Sequence, residues 1–280
     1  MKVVKIQGGL GNQMFQYAFY MSLKQKYKDC CIDIRDFETY TQHNGFELDR
    51  VFENIRQSIS LCRCKRKFFR SLFSKFLNRF IKYHKNYFSQ DDFGFNKKYY
   101  NKDNCYLDGY WQSEKYFKSV EKQIREIFKF QTLDDKNAKI LEEYKNRSLV
   151  SIHVRRGDYI NHPLHGDICN LDYYNNAIDI IKSRVESPHF FVFSDDIEWC
   201  KQCLDIEDVT YICTNTGSDS YRDMQIMSIC KHNIIANSSF SWWGAWLNQN
   251  SEKIIIAPNR WFNDDSINQS DICPESWIKI

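Results

Sequence analysis

The feature that most constrains this chain is a strict alternation in its second half. Apolar runs at 149–154, 190–193 (FFVF), 209–213, 233–236 (NIIA) and 253–257 read as strands. Helical patterns at 172–185, 196–204, 220–231 and 240–249 lie between them. A helix after every strand returns the chain to the same end of the sheet, so neighbouring strands run parallel. The expectation is a parallel sheet covered by helices on both faces, a nucleotide-binding half in its own right.

The chain opens in the same style. "KVVKIQ" (2–7) reads as a strand, "GGLGN" (8–12) as a glycine loop, and Gln13 to Tyr27 as a helix with Phe15, Phe19 and Leu23 on one face. A domain boundary is expected near residue 147, in the polar "EEYKNRS". This gives a first domain at 1–147 and a second at 148–280, the last segment of which is expected to pack back on the first. Residues 54–90 hold ten Lys/Arg and no Asp or Glu, with Phe69, Leu72, Phe73, Phe76, Leu77 and Phe80 at helical spacing. A basic amphipathic insert over about 62–88 follows. It suits peripheral contact with an anionic membrane surface, or simply burial of its apolar stripe in the domain.

Composition narrows the class. A formal charge of +3 in 280 residues is too small an excess for a nucleic-acid binder. No run approaches the ~18–20 apolar residues of a membrane span, and "MKVVKIQGGLGNQMF" is no secretory signal. A cytoplasmic protein is expected, on the inner face of the membrane if the insert binds there. The eleven cysteines are scattered and odd in number. Free thiols are therefore expected rather than zinc or redox chemistry.

Five stretches carry candidate chemistry. In "SIHVRRGDY", strand alternation sets Val150, Ile152 and Val154 on one face and Ser151, His153 and Arg155 on the other. His153 and Arg155 then emerge at a parallel strand's carboxyl end, where ligands bind in open α/β sheets. A guanidinium there suits a phosphate, and Asp158 can hold it or face the substrate. In "IIANSSFSWWGAW", Asn237, Ser238 and Ser239 precede Phe240 at a helix start, fit for capping or for a phosphate. Trp242, Trp243 and Trp246 read as core. In "FVFSDD", Asp195 and Asp196 end a strand, where carboxylates can accept from ribose hydroxyls; otherwise Ser194 or Asp195 caps the short helix that follows. Asp223 offers two oxygens to the paired N1–H and N2–H of a guanine. In "GGLGN", Gly9 and Gly11 admit a close backbone approach. No two aspartates lie two apart, which removes the D-x-D signature of metal-dependent sugar-nucleotide enzymes.

Together "GGLGNQMFQYAF", "GYWQSEKYF", "HVRRGDY", "FSDD" and "NSSFSWWGAWLN" resemble, in order and over residues 3–262, the bacterial α-1,2-fucosyltransferases of glycosyltransferase family 11. The resemblance implies a GT-B-like fold: two Rossmann-like domains with the active site in the cleft between them. It also implies a GDP-fucose donor, an inverting mechanism and no metal or other cofactor. The partners would be GDP-fucose and a galactose-terminated oligosaccharide, in surface polysaccharide synthesis. Arg155 with His153 would bind the pyrophosphate, Ser238, Ser239 and Phe240 would line phosphate and ribose, and Asp223 would read the guanine. Asn12 would approach the β-phosphate or fucose. Trp111, Gln112 and the segment around His43 to Leu48 would meet the acceptor. The general base is open between Asp158, Asp36, His43 and Glu47. A different linkage or acceptor, or a non-catalytic nucleotide-binding protein at a membrane surface, are the alternatives.

Overall fold

The computed structural model describes residues 1–39, 43–56 and 86–280. The chain divides into two compact units, Met1–Gln131 with Ser270–Ile272, and Thr132–Gln269 with Cys273–Ile280. The division falls after Gln131, upstream of the expected 147. Most of the expected basic insert lies outside the described residues. Its last two residues belong to a strand.

The first unit carries β1 (Lys2–Lys5), α1 (Leu10–Lys26), β2 (Cys30–Asp33), α2 (Leu48–Val51), β3 (Tyr87–Ser89), β4 (Cys105–Asp108) and α3 (Glu121–Ile127). Its four strands among the described residues form one sheet in the order β2-β1-β4-β3, every pairing parallel. β1 ends earlier than expected and α1 begins earlier, because Gly8 turns the chain at φ +78 and Gly9 caps the helix. Phe15, Phe19 and Leu23 are fully buried as their spacing predicts. So are Gln13 and Gln16, two amides on an otherwise apolar face. Ser270–Ile272 joins this unit through Asp271, which accepts from the Phe95 amide at 2.9 Å and pairs with Lys115.

The second unit carries α4 (Asp135–Glu143), β5 (Ser148–Val154), α5 (Leu171–Arg184), β6 (Pro188–Ser194), α6 (Ile197–Cys203), β7 (Val209–Ile212), α7 (Tyr221–Ile229), β8 (His232–Ile234), α8 (Ser239–Leu247), β9 (Ile255–Ala257) and β10 (Ile278–Lys279). The six strands are parallel, in the order β10-β9-β8-β5-β6-β7. Val150, Ile152 and Val154 pack with Tyr174, Ile178 and Ile181 of α5 on one face. Leu149, Phe191 and Phe193 pack with Ile226 and Met227 of α7 on the other, against Ile140 and Leu141 of α4. Those two residues, with the Asp134–Arg222 ion pair at 3.1 Å, are why α4 belongs here and not with the first unit. Trp242 and Trp243 are fully buried, as core residues should be. Among the described residues, Cys105, Cys169, Cys200, Cys203, Cys213, Cys230 and Cys273 are free thiols. Among the described residues no helix is long and apolar enough to cross a membrane.

Candidate active site

The strand order of the second unit locates its site. From β5 the chain winds outward through β6 to β7, then returns to β8 on the other side and winds outward through β9 to β10. The order reverses between β5 and β8, and a crevice opens beyond the carboxyl ends of strands at such a switch point. "HVRRGDY" leaves β5 on one side of it. "NSSF" leaves β8 on the other. The His153 and Phe240 rings face each other across it at 5.8 Å.

Arg155 is fixed from two sides. Its guanidinium reaches Asp158 Oδ1 at 2.6 Å and Asp195 Oδ2 at 2.8 Å. Asp195 also accepts from the Arg156 amide at 2.8 Å, which ties the loop after β5 to the end of β6. Gly157 makes room for this: a Cβ there would lie 3.0 Å from Asp195 Oδ2. Arg156 turns away, to Asp196 at 3.1 Å and over the Trp199 ring at 4.1 Å. Asp195 is thus engaged with the arginine loop. Asp196, not Ser194 or Asp195, caps α6 by accepting from the Trp199 amide at 3.2 Å, while Ser194 Oγ accepts from the Asp196 amide.

His153 is buried, and its Nδ1 has no hydrogen-bond partner. Burial first, and then the Arg155 charge, push its pKa down to about 4. It is a neutral imidazole beside a cation. Ser238 caps α8, accepting from the Phe240 amide at 3.3 Å. Ser239 and Phe240 begin the helix at its positive end. Asn237 does not serve a ligand as expected. Its amide donates to the His165 and Trp261 carbonyls at 3.2 Å, and its Oδ1 accepts from Cys169, so it pins three segments together. Asp223 stands on α7, mostly buried and held by Asn215 Nδ2 at 2.8 Å. Burial raises its pKa to about 7, against the lowering effects of Asn215 and Lys136.

In the first unit the glycine loop is anchored by α1. Gln13 Nε2 donates to the Gly8 and Gly45 carbonyls at 2.8 Å and its Oε1 accepts from the Glu47 amide. Gln16 receives the Gln7 amide and donates to the Gly109 carbonyl. Asn12 Oδ1 accepts from Gln112 Nε2 at 2.7 Å. His43, at φ +55, lies against Gly9, and Gly11 opens the helix beside them. Asn12, Gly9, Gly11, His43 and Gln112 therefore do gather at one helix start.

Two acceptor expectations change. Trp111 is fully buried, packed on Phe19, Tyr99 and Tyr116, so no ring face is left for a sugar. Glu47 is buried too. Its carboxylate receives Asn44, Arg50 and the Leu10 amide, the work of a helix anchor rather than of a base. Asp36 is paired with Lys5 at 3.0 Å beyond β1. Lys5 also meets Asp108, which accepts from Gln7 and Tyr87. That polar cluster was missed because its members come from four separate stretches of the chain.

Among the described residues no group of three or more His, Cys, Asp or Glu is placed to hold a metal. Two parallel α/β units, one with an arginine set between two carboxylates at its switch point, define a chain of the GT-B-like class. It belongs to glycosyl transferase family 11, whose model matches residues 1–280. The chain is 36% identical to an alpha-1,2-colitosyltransferase of Escherichia coli, over 99% of this chain and 98% of that one. It is 33% identical to the O-antigen biosynthesis glycosyltransferase WbnK of the same organism, over 98% and 99%. Half of it, at 29% identity, matches 42% of the human galactoside alpha-(1,2)-fucosyltransferase 1. The solved NodZ alpha-1,6-fucosyltransferase covers 88% of this chain and 91% of its own at 16% identity and a TM-score of 0.49.

Proposed function

We propose that the protein transfers L-fucose from GDP-fucose to the 2-hydroxyl of a galactose, with inversion and without a metal, in the synthesis of an O-antigen-like polysaccharide. The observation that carries the reading is Arg155, held at the crevice by Asp158 and Asp195 beside His153, whose ring meets Phe240 at the start of α8. The hydroxyl attacks the anomeric carbon as the diphosphate leaves, through an oxocarbenium-like transition state. Negative charge grows on the β-phosphate, whose last pKa is roughly 6. Arg155 and the α8 amides meet that charge, so no strong acid is needed. Neutral His153 can donate to or accept from the diphosphate without adding to the charge. Asp223 takes the base, and Asn12 approaches the sugar. Asp158 is the proposed general base. Its side chain is 57% exposed, so a hydroxyl can reach it while it still touches Arg155.

Purified protein should transfer fucose to galactose-terminated oligosaccharides in EDTA, giving an α-1,2 linkage. Dependence on added metal, or another linkage, would refute the corresponding part. A second reading is favoured by the colitosyltransferase relative: the sugar passed on is colitose. Competition between GDP-fucose and a colitosyl donor separates the two.

A further inference from the structure

We propose that Asp134, Asn137 and Asn215 form a one-way relay that aims the Asp223 carboxylate, and that the choice of nucleobase depends on it. The inference rests on Asp223 being the group that meets the base.

A side-chain amide is chemically two-faced, and nothing in an isolated Asn says which end points where. Here the direction is imposed from one end. Asp134 caps α4 and can only accept. Its Oδ1 takes the Asn137 backbone N–H at 2.9 Å and Asn137 Nδ2 at 2.8 Å. The second Nδ2 hydrogen of Asn137 goes to Asn215 Oδ1 at 3.0 Å, and Asn137 Oδ1 accepts from Asn215 Nδ2 at 3.1 Å. The remaining hydrogen of Asn215 goes to Asp223 Oδ1 at 2.8 Å. Turning over either amide would set oxygen against oxygen in a dry place, since Asn137 is fully buried and Asn215 nearly so.

The charge on Asp134 thus decides that a donor, and not an acceptor, faces Asp223. The Asn137 amide holds the Asp134 carboxyl below its usual range, and Arg222 Nε lies 3.1 Å from its other oxygen. With one oxygen of Asp223 claimed by Asn215, the plane of the carboxylate is set. Its remaining acceptor capacity is presented to a partner with adjacent donors, the N1–H and exocyclic N–H of a 2-amino-6-oxopurine. The charged groups around it are Lys136 of α4, which donates to the Thr214 carbonyl at 2.8 Å, and Arg222 with Asp219 on its own side, 3.6 Å apart.

The test is calorimetric titration of the full chain with GDP, with IDP, which lacks the 2-amino group, and with pyrophosphate, between pH 6 and 8.5. Wild type should prefer GDP to IDP, and Asp223→Asn should abolish the preference. Asn215→Ala should weaken GDP ~10-fold, compress the GDP/IDP ratio and move the pH midpoint of GDP binding upward. Pyrophosphate binding should not change. Asn215→Ser, which keeps a donor, should recover part of the ratio. Asn137→Ala, which frees Asn215 to turn over, should act in the same direction and serves if Asn215→Ala does not fold. Wild-type ratio and pH midpoint in a folded Asn215 or Asn137 variant would overturn the relay while leaving Asp223 as the base reader. No GDP/IDP preference in wild type, with Asp223→Asn silent, would overturn the base reading and the relay with it.

Discussion

Arg155 donates to two carboxylates at once, and this decides how its loss should read. Arg155→Ala should lower kcat by at least the ~100- to 1000-fold typical of one lost charge-stabilising donor. Steady-state kinetics on the folded variant checks this, and near-normal turnover would remove Arg155 from the chemistry. Asp223 makes a stability prediction of opposite sense. Its folded pKa of about 7 lies above the ~3.9 of an unfolded aspartate. Between those values the folded state holds a proton that the unfolded chain has released, so stability falls as pH rises through the window. Asp223→Asn should therefore raise Tm at pH 8, by the equivalent of about 1–3 kcal/mol, and lose the advantage below pH 4. Thermal scans at the two pH values decide it. Residue identity was the most legible layer at Arg155 and His153, where two-residue alternation along a strand puts both side chains on the crevice side. It was least legible at Trp111, Glu47 and Asn237. A tryptophan, a carboxylate and an amide serve equally well as ligand contacts or as internal fasteners, and only their neighbours tell which.

At the scale of elements, α7 and α8 meet where Gly244 faces Met227. A Cβ at Gly244 would stand 2.8 Å from the Met227 Cβ and 3.6 Å from the Met224 carbonyl oxygen. Gly244→Ala should push the two helices apart at a cost of about 1–3 kcal/mol, seen as a lower denaturation midpoint. The displaced α7 carries Asp223, so GDP affinity should fall along with it. Gly8 is a second such place. At φ +78, with a Cβ only 2.9 Å from Asn12 Nδ2, Gly8→Ala strains the backbone and displaces Asn12. On the proposed reaction, fucosyl transfer should drop more than stability does. From β5 to β9 the helices and strands of the second unit matched their sequence pattern to within a few residues, since each apolar run is bounded by polar turns, whereas α4 and β10 were not foreseen. β2, β3 and β4 of the first unit were not foreseen. They are three or four residues long, too short for periodicity to speak.

For the whole chain, the division after Gln131 has a direct consequence. α4 supplies Ile140 and Leu141 to one face of the six-stranded sheet and Asn137 to the Asp223 relay. A fragment beginning at residue 132 should be more soluble and bind GDP more tightly than one beginning at 148. Equal behaviour of the two would contradict the assignment of α4. Parallel pairing was settled by the sequence alone, because each strand is followed by a helix that must carry the chain back to the same sheet end. So was the placement of Arg155 and Ser238 at strand ends, which follows from the two-residue period and from capping chemistry. The tertiary structure alone decided the strand order, and with it the switch point between β5 and β8. It alone brought Asn137 to Asn215 across 78 positions. Local pattern records which face of an element is apolar but not which neighbour covers it. Long-range pairing is chosen by how all the faces pack together.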